Sequence, residues 1–164
     1  MNDAHYHLVL NHFPIIFPLA GIIILIIGLI SKSDAVKRTA YVFFIIAAII
    51  ALFTMNSGEE AEEIVEKLND VPRHLIHNHE EIAETFAILL YVLGGISCIG
   101  LWASFKQKTF STYIIIVTLL FAIVILFFAK KTATTGGEIR HTEIRQTNQD
   151  TLTNNQDKNN RDID

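Results

Sequence analysis

Histidine is the residue type in this chain best suited to chemistry. Its seven copies form three groups: His5, His7 and His12, then His74, His77 and His79, and finally His141. The groups stand before or within the first hydrophobic segment, before the third, and after the fourth, which is the same end each time. If those segments cross a bilayer, all seven imidazoles gather at one membrane face. Imidazole is the commonest protein ligand for metals and a usual ligand of haem iron. Haem b asks for two axial imidazoles from facing helices within an apolar surround. Zinc or copper asks for three or four nitrogens or carboxylates in close convergence. The two-cysteine signature of covalently attached haem is absent, since Cys98 is the single cysteine. No HExxH spacing is present either, so an enzyme using metal-activated water ranks below an electron-transfer or metal-binding protein.

Helical periodicity sorts these residues. His5 and His12 lie a heptad apart and nearly in register, while His7 points elsewhere. Positions 74, 77, 81 and 84 form one stripe, so His74, His77, Glu81 and Glu84 share a face, with His79 almost opposite His77. A carboxylate as deep as Glu84 is costly in a membrane unless partnered, and orienting a ligating imidazole would justify it. The candidate cofactor ligands are therefore His7, His12, His77, His79 and His141, with Glu84 added for a metal ion. His12 with His77 or His79 is the expected axial pair, and His7 and His141 hold a second centre or tune the first. His5 and His74 fit a plain polar interface.

Four apolar runs must position this set: Phe13–Ile30, Thr39–Met55, Ile82–Trp102 and Tyr113–Ala129. Glu84 is the one Asp, Glu, Lys or Arg within them. Charged residues make up 18% of the 164-residue chain, against about a quarter in soluble domains. Roughly 20 helical residues cross a hydrocarbon core, so each run suffices once its ends are extended. The runs lack the polar stripes of a soluble bundle. The expected fold is all-α: a four-transmembrane-helix bundle over 1–145, with helices at about 4–30, 39–56, 72–103 and 111–131. A short extracytoplasmic amphipathic helix is expected at about 59–68, and a disordered polar tail at 146–164. The first segment has Asp3 and no basic residue before it, so it reads as a retained helix and not a signal peptide.

Charge orients the loops. Lys32, Lys37 and Arg38 follow the first segment, and Lys106 and Lys108 follow the third. Glu59, Glu60, Glu62, Glu63, Glu66 and Asp70 lie between the second and third. The positive-inside rule places the basic loops in the cytoplasm and both termini and the acidic loop outside. Lys130 and Lys131 run against that assignment, though lysines at helix ends can snorkel. Pro14 and Pro18 should kink the first helix and shape a cavity. Gly21 and Gly28 share a face that suits close packing, or a homodimer. A Thr/Gly link containing Gly136-Gly137-Glu138 would fold His141 back over the site, and Cys98 is expected to pack inside the third helix.

Several of these segments together resemble the DUF2231 family of bacterial four-helix membrane proteins. The opening His7-Leu-Val-Leu-Asn-His12-Phe-Pro14 resembles its His-x-x-x-x-His-Phe-Pro motif. Thr54-x-x-Ser57-Gly-Glu-Glu-Ala61, His77-Asn-His79-Glu80, and Gly136-Gly137-Glu138 with His141 resemble its later segments, in the same order over about residues 5–142. Leu8 departs from the proline common after the first His, and the acidic loop and longer tail are additions. Some relatives are joined to c-type cytochrome domains, so the resemblance implies a redox role by analogy.

The leading expectation is a small cytochrome b-like protein in the bacterial cytoplasmic membrane. It would bind haem b and pass electrons to other membrane proteins or to cytochromes on the outer side. A zinc or copper site in a metal-handling or ion-transport protein, or a structural accessory subunit, are the alternatives. Nothing suggests nucleic-acid binding.

Overall fold

A computed structural model describes residues 3–67, 71–141, 143 and 145. Its elements are α1 (Asp3–Leu10), α2 (Phe13–Ile30), α3 (Asp34–Glu66), α4 (Arg73–Phe105) and α5 (Ser111–Arg140). Among the described residues there is no strand. Four segments are long and apolar enough to cross a bilayer: α1 with α2, then α3, α4 and α5. Packing runs α2 on α3, α3 on α4 and α4 on α5, with α5 closing back on α2 and α1 lying on α3. Short connections force this up-and-down order. Lys32 and Gln107 turn the two basic loops with positive φ, at 53° and 49°. Ser33 caps α3, its hydroxyl accepting from the Val36 N–H at 3.5 Å.

The exterior explains the solvent. Ile23, Ile27, Leu52, Phe53, Ile99, Trp102, Leu120 and Phe127 are all more than half, or close to half, exposed around the bundle. Such a belt would aggregate in water and is stable against lipid. Inside, Leu25, Tyr41, Phe44, Leu90, Leu93 and Ile125 are fully buried. Small residues admit the large ones: a methyl at Gly21 would strike the Phe44 ring, and one at Gly100 the Tyr41 ring. Gly28 lies equally close to Lys37. The Gly21/Gly28 face is therefore used within the chain, against α3, and is not free for a homodimer. Cys98 is also on the surface of α4, not in its packing.

Three helix boundaries differ from expectation, each for a local reason. The first span breaks at Asn11–His12 into α1 and α2, because Pro14 has no N–H to give and its ring crowds the Leu10 carbonyl. The acidic stretch after Met55 is helical but continues α3 to Glu66 with no separate outer helix. Its Glu, Ala, Ile and Val residues propagate a helix, and Gly58, though a weak helix former, has negative φ. Likewise α5 runs through Gly136-Gly137 to Arg140, so His141 is carried by a helix and not by a folded-back link. The expected tail at 146–164 lies outside the described residues.

At the basic end, Arg38 ties α3 to α4. Its Nε donates to Ser104 Oγ at 2.9 Å, its Nη2 to the Ser104 carbonyl at 3.0 Å, and its guanidinium lies 4.3 Å over the Phe105 ring. Arg38→Ala is expected to cost about 1–3 kcal/mol through the lost donors and ring contact. Arg38→Lys should recover less than half of that, since an ammonium cannot reproduce the fork. Unfolding midpoints in mixed detergent micelles would check both.

Candidate functional site

The site is at the opposite end, where α1, α4 and the last turns of α3 and α5 meet. On α3, Thr54, Ser57 and Gly58 share one face by their spacing. His7 of α1 reaches across to it, with Nδ1 3.2 Å from Ser57 Oγ and 3.1 Å from the Thr54 carbonyl. Ser57 Oγ donates its own hydrogen to that same carbonyl at 2.9 Å. Both partners of the ring nitrogen are thus acceptors, so Nδ1 carries the proton and Nε2 keeps its lone pair. The ring sits over Gly58, where an added Cβ would come within 3.3 Å of His7 Cε1.

The same arrangement recurs between α4 and α5. His79 places Nδ1 3.0 Å from Thr135 Oγ1, and the Thr132 carbonyl is the ring's backbone acceptor. Thr135 Oγ1 donates to the Lys131 and Thr132 carbonyls, at 3.1 and 3.2 Å, so it accepts from the imidazole. An added Cβ at Gly136 would stand 3.0 Å from His79 Cε1. Even the first threonines match: Thr54 Oγ1 donates to Ile50 O and Thr132 Oγ1 to Phe128 O, each at 3.0 Å. The sequence Thr54-x-x-Ser57-Gly58 is repeated as Thr132-x-x-Thr135-Gly136. Each copy seats one imidazole from a helix earlier in the chain, His7 of α1 or His79 of α4, through its Nδ1, so that Nε2 keeps its lone pair.

The two rings wall a common cavity with two adjoining lobes of about 320 Å³ each. His7, His79, Asn11, Thr54 and Gly136 border both. The first lobe is largely apolar, with Leu8, Ile15, Phe86, Ala87 and Leu90, and carries His12 and His141. The second contains Glu59, Glu62, Glu80 and Glu84.

The expected ligands are therefore brought together selectively. His12 is exposed and its Nδ1 donates to the Leu8 carbonyl at 3.2 Å, which puts His7, and not His12, in the inner position. His141 is exposed too, with Nδ1 donating to Glu143 at 2.9 Å. His77 borders neither lobe. Its side chain is 71% exposed and its nitrogens face Glu80 at 3.4 Å and Glu81 at 3.6 Å. All four residues of the 74/77/81/84 stripe are exposed, and of them Glu84 alone borders a lobe. Glu84 borders the acidic lobe without a hydrogen bond to either imidazole, so the orienting role falls to the Thr54/Ser57 and Thr132/Thr135 pairs. Among the described residues no three His, Cys, Asp or Glu side chains converge closely enough to hold a metal ion.

Sequence reasoning did not identify Asn11, Thr135 or the seating glycines as site residues. The repeated T-x-x-[S/T]-G pattern would have found most of them, since spacing by three and four puts those positions on one helix face. Compared with protein-family models, curated proteins and solved structures, the chain matches none.

Proposed function

We propose that this chain is a multi-pass protein of the bacterial cytoplasmic membrane, of the DUF2231 type, that binds a b-type haem between His7 and His79 and transfers electrons. The carrying observation is the pair of imidazoles, each with Nδ1 held by acceptors, that border one and the same cavity. Two protein nitrogens suffice for haem, whose porphyrin fills the other iron positions, whereas zinc or copper would need a third close ligand. The absence of such a trio among the described residues favours haem over a small ion. The glycine seats under both rings fit ligands held in fixed orientation, and the apolar lobe suits a large flat ring.

Bound haem supplies a one-electron carrier. The chain's own residues do the rest: His7 and His79 offer lone pairs, and the hydroxyl and carbonyl acceptors behind them hold the tautomer. Leu8, Ile15, Phe86 and Leu90 give that lobe apolar walls. Lys32, Lys37, Arg38, Lys106 and Lys108 lie at the far end, which supports an outward-facing site by the positive-inside rule. Electron exchange with cytochromes or membrane proteins on that side follows.

Absorption spectra of protein purified in detergent from haem-sufficient cells test this. A Soret band with sharp bands on dithionite reduction, at one haem per chain, is the expected result. A colourless protein that takes up no added haem would refute it.

A further inference from the structure

The lobe lined by α1, α3 and α4, with Gly136 and Ile139 of α5, differs in charge from its neighbour. Glu59 and Glu62 of α3 and Glu80 and Glu84 of α4 border it, and among the described residues no lysine or arginine does. His7, His79 and Asn11 border it as well, and Asn11 Oδ1 is shielded from solvent with no hydrogen-bond partner among the described residues. Between them the walls are apolar, including Leu8, Met55, Val65 and Ile76. The lobe is about 320 Å³, large enough for a small organic molecule.

These features select a ligand class. Anions are opposed by the carboxylates, which have no basic residue beside them in the lining. A bare metal ion is a poor match, because the acids surround the space without converging in threes on a point. Carboxylates spread around apolar walls suit a cation whose N–H donors are joined by alkyl carbons, with methylenes on the walls and ammonium groups at the rim. We infer that this lobe binds an alkylammonium group, presented either by a free polyamine or by a lysine side chain of another polypeptide. The inference concerns the acidic lobe, not the apolar one given to haem, and does not require haem to be bound.

Titration calorimetry on the full chain in detergent tests it, with spermidine as one probe and decalysine as the other. Two variants of equal net charge are compared: Glu59→Gln/Glu62→Gln/Glu84→Gln inside the lobe, and Glu60→Gln/Glu63→Gln/Glu66→Gln outside it. The first should weaken binding about tenfold or more and the second less than about threefold, because screened distant charges contribute little. Glu84→Gln alone should give a smaller loss in the same direction. Spermidine binding with this pattern identifies a free amine as ligand, and decalysine binding alone with this pattern identifies a polypeptide lysine. Equal weakening by both triple variants, or no binding of either probe to the unmodified chain, overturns the inference.

Discussion

His7→Ala and His79→Ala should each lower haem affinity by at least about 100-fold, while His77→Ala leaves haem content unchanged. The contrast is sharp because His77 and His79 are two residues apart on one helix. A helix turns about 100° per residue, so that spacing sends the side chains to nearly opposite faces. His79 enters the cavity against α5, and His77 meets Glu80 and Glu81 at the surface. His12→Ala, at the rim, should cost far less than His7→Ala. Haem per chain from reduced spectra of each variant decides the matter, and equal losses for His77→Ala and His79→Ala would contradict the assignment.

The second large effect is expected from residues that never touch the ligand. Thr135→Val keeps the shape of the side chain but removes the hydroxyl that accepts from His79 Nδ1. Ser57→Ala does the same for His7, where the Thr54 carbonyl remains as an acceptor. Loss of such an orienting group costs about 10–100-fold in ligand affinity, so Thr135→Val should fall in that range and Ser57→Ala toward its lower end. Gly136→Ala should act with Thr135→Val, because its methyl would press on the His79 ring from 3.0 Å. Haem titration of each variant gives the affinities. Unchanged affinity in Thr135→Val would show that the hydroxyl contact does not hold the ring.

Much of the fold was legible because one constraint dominates it: uncharged runs near bilayer length leave a helical bundle as the available answer. Helix ends were less legible. Gly58 and Gly136-Gly137 look like breakers, yet they lie within helices because an imidazole from another helix fills the space beside Gly58 and Gly136. That partner is close in space and distant in sequence, so local propensity cannot register it. The gathering of histidines at one end was likewise visible from their order along the chain. Which of them turn inward was not: His7 and His79 are selected by hydroxyl and carbonyl acceptors 47 to 56 residues away. Periodicity did put His77 and His79 on opposite faces, but could not say which face met the bundle.

The site proposed for haem depends on His7 and His79 holding their protons on Nδ1 and leaving Nε2 bare. Nitrogen NMR of the chain labelled with ¹⁵N-histidine, haem-free in lipid bilayers at mildly alkaline pH, measures this directly once His7→Asn and His79→Asn samples identify each ring. Both should be neutral, with Nδ1 protonated and Nε2 bare. A proton found on Nε2 of either ring, with Nδ1 bare, would mean that the hydroxyls do not set the tautomer and that the cavity is not built to receive iron.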